Sequence, residues 1–171
     1  DEINGVEIVR RLIRSITPER LKGTLICIPI VNVLGFLNHS RYLPDGRDLN
    51  RSFPGSPNGS LTARLANLFL EEIISKATHG IDLHTGGGHR ANLPHIRANL
   101  DDPQVHALAR SFDVPVLVNS SMRDGSLRQV AADMGVCTLL YEAGEALRFD
   151  EFCVRAGVRG VLNVMRALGM L

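Results

Sequence analysis

This chain of 171 residues has few cysteines, no long apolar run and almost no net charge. Its three cysteines are far apart and odd in number, which argues against a disulfide framework and a cysteine-based zinc site. This usage indicates a reducing compartment, so we expect a cytoplasmic protein. The net charge of +1 gives no electrostatic footprint for a nucleic acid or an anionic membrane. No apolar run reaches the roughly 18–20 residues that a membrane-spanning helix needs.

The overall composition is that of a folded globular domain. Hydrophobic residues make up 44% of the chain and charged residues 22%, a balance that excludes intrinsic disorder. A chain of this length can bury a sizeable core but is short for two domains. We therefore predict a single domain over residues 1–171.

Helical periodicity and β-rich apolar runs alternate along the chain. The predicted strands cover 24–33, 80–83, 115–119 and 136–141, and the predicted helices cover 3–16, 61–77, 126–134, 149–168 and a segment beginning at Asp102-Pro103. This order is typical of an α/β fold with a mostly parallel mixed sheet and helices on both faces. A helix that begins at residue 3 should follow a strand, so we expect the first strand to be missing.

Polar residues follow several of the predicted strands. His84 comes after the strand over 80–83, Glu142 comes after the strand over 136–141, and Glu2 precedes the first helix. Because ligands bind beyond the carboxyl ends of the strands in α/β sheets, we expect these groups to converge. The long loop over 38–60 adds the polar residues Arg41, Arg47, Asp48, Asn50 and Arg51.

Histidine nitrogen and carboxylate oxygen are zinc ligands, and a catalytic zinc typically takes three protein ligands and a water. Glu2 and His84 are only two such groups, and a lone histidine after a strand is more commonly a hydrogen-bonded structural residue. Glu142 lies between apolar residues and the small Ala143-Gly144, which indicates a partly buried carboxylate. Such a group needs a cation or hydrogen-bond donors around it.

An arginine fork beside an asparagine amide, as in Asn50-Arg51, is suited to clamping a carboxylate. The alternative is a loop salt bridge among Arg47, Asp48 and Arg51. Of the other histidines, His95 is the strongest further candidate, because it lies in the predicted loop after His84. Arginines that could contact an acidic substrate, although a solvated surface position is commoner, are Arg90, Arg97, Arg123 and Arg128.

Four segments carry a family resemblance when they are taken together. They are Asp1-Glu2 before an apolar helix, Asp48-Leu49-Asn50-Arg51, Asp82-Leu83-His84-Thr85-Gly86 and Tyr141-Glu142-Ala143-Gly144. The chain thereby resembles the succinylglutamate desuccinylase/aspartoacylase family of the zinc carboxypeptidase-like clan. Each segment alone is weak evidence for the family, but the four occur in the family's order over nearly the whole chain. The resemblance implies a three-layer zinc carboxypeptidase-like fold.

The resemblance implies a zinc ion held by Glu2 and His84, with Glu142 as the general base. The family's zinc motif is His-x-x-Glu, and its first histidine would lie two residues before Asp1. We therefore expect a catalytic domain that lacks its first strand and the family's C-terminal β-rich segment. The alternative is a version of the domain that holds zinc poorly.

The resemblance also implies roles for the loop over 38–60. Asn50 and Arg51 match the pair that grips the substrate carboxylate. Asp48 matches the acid that orients the motif histidine. Arg41 is the first choice for the arginine that polarises the scissile carbonyl, and Arg47 is the competitor for that role. Arg47 is also counted among the substrate-binding residues.

The implied activity is zinc-dependent hydrolysis of the amide bond of an N-acyl amino acid or a similar small carboxylate. The expected partner is therefore a small molecule and neither a nucleic acid nor a membrane, while formation of a homo-oligomer stays open. Two alternatives remain. One is a metallocarboxypeptidase acting on peptides, and the other is a non-catalytic binding domain that has lost a metal ligand.

Overall fold

The computed structural model describes residues 2–87 and 90–171, so Asp1 of the first predicted motif lies outside the described part. The described residues form two compact units. The first comprises residues 32–80 and 121–138, and the second comprises residues 2–31, 81–120 and 139–171.

Regular structure follows most of the predicted pattern. The α-helices are Asn4–Ser15 (α1), Val33–Leu37 (α2), Leu61–Glu72 (α3), Pro103–Ser111 (α4), Leu127–Asp133 (α5) and Glu151–Ala167 (α6). The strands are His79–Gly86 (β1), Asn92–Ala98 (β2), Val116–Asn119 (β3) and Cys137–Glu145 (β4). Short 3-10 helices cover Pro18–Arg20, Leu49–Arg51 and Ile74–Lys76. All five predicted helices are confirmed, as are three of the four predicted strands.

The strands form one mixed sheet in the order β1-β4-β2-β3. β2 is parallel to β3 and antiparallel to β4. β1 runs in the same direction as β4, because Gly80 lies against Thr138 and Gly86 lies against Gly144. Two of the three strand pairings among the described residues are therefore parallel, and the predicted α/β class with a mostly parallel mixed sheet is confirmed.

Two predictions about strands are wrong. Residues 24–33 form no strand, and Ile26 within this run is 47% exposed. Apolar β-branched residues favour a strand only where a neighbouring backbone can pair with it, and Pro29 also removes one donor. In contrast, β2 is a strand, although the residues after His84 were predicted to form a loop. Pro94 cannot donate to the ladder, but the pairing with β3 and β4 forms the strand nevertheless.

The second unit has its core between α1, α6 and the inner face of the sheet. Ile8 of α1 and Val154 of α6 are almost fully buried. The rings of Phe112 and Tyr141 stack with their centroids 5.1 Å apart. Glycine at 160 lets α6 approach this pair, since a Cβ atom there would overlap the Phe112 ring.

This close approach predicts whether one substitution raises or lowers the free energy of unfolding. Gly160→Ala should lower the free energy of unfolding by about 1–3 kcal/mol, because the rigid Phe112 ring cannot yield to the added methyl group. Denaturant unfolding of the chain measures this change. Helix propensity alone predicts the opposite, a gain of about 1 kcal/mol, so an increase in stability contradicts the packing described here.

The first unit has a smaller apolar core. Ile74, Ala131 and Val136 are buried there, with Phe69 and Leu127 packed against them. No helix in the described residues combines the length and apolar character needed to cross a membrane.

Candidate active site

In the second unit, three of the four predicted segments meet. The backbone N–H of Thr85, next to His84, donates to the Glu2 carboxylate over 3.0 Å. The buried side chain of Asn4 donates from its amide to the carbonyl oxygen of Ala143 over 3.4 Å. The start of α1, the end of β1 and the end of β4 are therefore held together, as their positions in the sequence predict.

The His84 imidazole lies between two carboxylates. Its Nδ1 is 2.9 Å from Glu2 Oε2, and its Nε2 is 2.8 Å from Asp82 Oδ2. Burial by itself would lower the pKa of His84, but the charges and hydrogen bonds of Asp82 and Glu2 outweigh it and raise that pKa well above its ordinary value. Two carboxylates facing one imidazole thus favour a positive charge at this place.

These residues fit part of a zinc site. Zinc binds histidine nitrogen and carboxylate oxygen at about 2.0–2.2 Å, so two such ligands lie roughly 3.3 Å apart around a tetrahedral ion. The 2.9 Å between Glu2 Oε2 and His84 Nδ1 needs only a small widening to reach this spacing. Asp82 occupies the other ring nitrogen, as the partner of a metal-binding histidine commonly does. Within residues 2–87 and 90–171, no group of three or more candidate ligands occurs.

The Glu142 carboxylate lies on β4 among donors from β2. Asn92 Nδ2 donates to its Oε1 over 2.7 Å, and Arg97 Nη1 is 3.4 Å from its Oε2. His95 Nε2 is 3.8 Å from the same Oε2, while its Nδ1 lies 2.8 Å from the carbonyl oxygen of Leu93. The Glu142 side chain is 19% exposed, so this carboxylate is partly buried and has the partners that burial demands.

In the first unit, Arg41 and Asp48 form an ion pair. Arg41 Nε is 3.0 Å from Asp48 Oδ2, and both side chains are partly buried. The other oxygen, Asp48 Oδ1, accepts from the backbone N–H of Asn50 over 2.9 Å and caps the short 3-10 helix over Leu49–Arg51. One carboxylate therefore fixes the arginine and also the turn that carries Asn50.

The Asn50 amide has a defined orientation. Its Oδ1 accepts from the backbone N–H of Leu127 at the start of α5 over 2.9 Å, which leaves its nitrogen as the donating end. The Arg51 guanidinium donates to the carbonyl oxygen of Asn50 and is exposed. Arg47 is exposed on the turn before Asp48. The salt bridge suggested among Arg47, Asp48 and Arg51 is therefore not the one observed, because Asp48 pairs with Arg41.

Sequence reasoning missed two residues that contact the predicted site. Asp82 is two positions before His84 on β1, and this spacing on a strand places both side chains on one face. That signal was available in the sequence. Asn92 lies on a strand that was predicted as a loop, so its contact with Glu142 had no signal. His95 and Arg97 were named as candidates, and the structure places both beside Glu142 on β2.

Comparison with known proteins agrees with the resemblance. Residues 1–168 match the model of the succinylglutamate desuccinylase/aspartoacylase catalytic domain. The chain is also 33% identical over 124 residues to the N-alpha-acetyl-L-2,4-diaminobutyric acid deacetylase of Halomonas elongata. This match covers 69% of the chain and 36% of the deacetylase.

Solved structures give the same result. The succinylglutamate desuccinylase/aspartoacylase from Rhodobacter sphaeroides is 32% identical with a TM-score of 0.90, over 100% of this chain and 53% of that one. The product-bound ectoine utilization protein EutE (DoeB) from Ruegeria pomeroyi is 26% identical with a TM-score of 0.92, over 99% of this chain and 54% of that one. The chain thus spans about half the length of these solved relatives.

Proposed function

The chain belongs to the succinylglutamate desuccinylase/aspartoacylase family, and on this premise we propose that it forms part of a zinc-dependent hydrolase. The proposed reaction is hydrolysis of the amide bond of an N-acyl amino acid or a similar small carboxylate. The main support is the placement of Glu2, His84 and Glu142 on three segments that meet in one unit. The names of its relatives describe removal of acetyl, succinyl or other acyl groups. The scattered free cysteines support action in the cytoplasm.

Glu2 and His84 would hold the zinc ion. When bound, zinc supplies Lewis-acid activation of a water molecule and of the scissile carbonyl. Asp82 keeps the His84 ring turned so that Nδ1 faces the Glu2 carboxylate. The third ligand implied by the family resemblance, a histidine two residues before Asp1, stays a prediction.

Glu142 would act as the general base and then as the general acid. Its carboxylate takes a proton from the attacking water and gives it to the nitrogen of the leaving amine. Asn92 and Arg97 contact its two oxygens and hold the carboxylate in place.

The family resemblance gives substrate binding to polar residues of the loop over 38–60. Asn50 and Arg51 would hold the substrate carboxylate, and this fixes the position of the scissile carbonyl. Arg41 would stabilise the negative charge that develops on the carbonyl oxygen. The ion pair with Asp48 fixes the guanidinium of Arg41, whereas Arg47 is exposed, and this difference supports Arg41 for that role.

Substrate preference and metal dependence test this proposal together. The longest version of the protein that its gene encodes should release free amino acid from N-succinylglutamate or from Nα-acetyl-2,4-diaminobutyrate, the compounds that the relatives' names indicate. A chelator should abolish the activity, and added zinc should restore it. Release of a C-terminal residue from peptides, without deacylation, supports the carboxypeptidase alternative. Absence of zinc binding by calorimetry supports a non-catalytic binding domain.

A further inference from the structure

A break in strand register brings Asn92 to the face of the sheet that carries Glu142. His95 is directly opposite Glu142 in the antiparallel pairing of β2 with β4, and Asn92 is opposite Gly144. Three steps along β2 therefore match two steps along β4, which is the count of a β-bulge. In a regular ladder Asn92 would face the other side of the sheet, because it lies three positions before His95, and side chains alternate between the faces.

The Asn92 side chain reaches Glu142 through space that a glycine leaves open. Its Nδ2 is 2.7 Å from Glu142 Oε1. A Cβ atom added at Gly86 of β1 would come within 2.9 Å of the same nitrogen. Glycine at position 86 therefore leaves the amide the room it needs beside the carboxylate.

We propose that Asn92 is a positioning residue for Glu142, placed there by the bulge in β2. The inference rests on the proposed function, since it assigns to Asn92 the orientation of the proposed general base. Among the contacts of Glu142 with described residues, the hydrogen bond from Asn92 to Oε1 is the shortest. Arg97 and His95 make longer contacts, both to Oε2. Oε2 is therefore the oxygen that more readily gives up its present contacts to accept a hydrogen bond from the attacking water.

Substitutions at Asn92 test this role in the zinc-loaded protein. Asn92→Ala should lower kcat roughly 10- to 100-fold, as expected for the loss of a hydrogen bond to a charged group, while KM changes less than about twofold. Asn92→Asp keeps the shape of the side chain but places a second carboxylate beside Glu142. It should lower kcat as well and move the acidic limb of the pH–rate profile to higher pH. Asn92→Gln, which retains the amide donor, should recover part of the activity.

Asn119→Ala is the matched control. Asn119 is an asparagine of the same sheet that bonds to the Leu100 backbone and to Asp101 and takes no part in the Glu142 contacts. This variant should keep kcat within about twofold of the unmodified protein. Zinc content and the unfolding midpoint are measured for every variant, so that misfolding is recognised. A crystal structure of Asn92→Asp should show the Glu142 carboxylate turned from its present position.

A double-mutant cycle separates this inference from the proposed function. In a Glu142→Gln background, Asn92→Ala should cost no further activity, because its effect passes through the carboxylate. Full additivity of the two losses overturns the positioning role and leaves the base in place. Unchanged kcat in folded Asn92→Ala and Asn92→Asp does the same. Unchanged kcat in Glu142→Gln alone overturns the base, and the positioning role with it.

Discussion

Glu142→Gln should reduce kcat about 1,000-fold in the zinc-loaded protein while zinc content and stability stay close to those of the unmodified protein. Glutamine has the same shape, and its amide oxygen can still accept from Asn92. It cannot take a proton from water at any working pH, and its amide nitrogen would face Arg97 without attraction. Steady-state hydrolysis of an N-acyl amino acid, with metal content measured on the same sample, gives this ratio.

Glu145→Gln is the matched control for this substitution. Glu145 is the last residue of the same strand and pairs with Arg148 at 3.5 Å. We expect replacement of the Glu145 carboxylate by an amide to change kcat by about twofold or less. An equal loss in both variants would assign the effect to damage of β4, and near-normal turnover in Glu142→Gln would show that another group is the base.

The parts of the fold that the sequence predicted are those that local patterns determine. Apolar residues spaced at helical intervals, such as Val9 and Leu12, gave α1, and these two are buried where the pattern placed them. Glu142 was predicted near the end of a strand because apolar strand residues precede it and the small residues Ala143-Gly144 follow it. His84 and Glu142 lie within β1 and β4, which run further than predicted. Local periodicity thus located the polar residues to within a few positions of a strand end.

The parts that could not be predicted depend on pairing between distant segments. The run over 24–33 has strong strand propensity, but within the described residues it has no partner strand. β2 has weak propensity because of Pro94, but it pairs on both sides with β3 and β4. The bulge that turns Asn92 toward Glu142 is a property of two strands together. Neither strand's own sequence specifies it.

Asp82→Asn should weaken zinc binding about 10- to 100-fold, the usual cost of losing the partner of a metal-binding histidine. The Asp82 carboxylate accepts from His84 Nε2 over 2.8 Å, which turns Nδ1 toward Glu2. An asparagine of the same shape lacks the negative charge and can present an amide nitrogen to the ring instead. Competition with a chromophoric chelator measures the affinity, on the longest version of the protein that its gene encodes.

Two further variants decide what a change at Asp82 means. His84→Ala removes a proposed ligand and should weaken zinc binding more than Asp82→Asn does. Asp101→Asn changes an exposed aspartate of the same unit, which accepts a hydrogen bond from Asn119. The zinc affinity of this variant should equal that of the unmodified protein. If His84→Ala weakens binding but Asp82→Asn does not, Asp82 has no part in orienting the imidazole. If neither variant weakens it, zinc binds elsewhere, and the pairing of Glu2 with His84 is a structural ion pair that merely resembles a metal site.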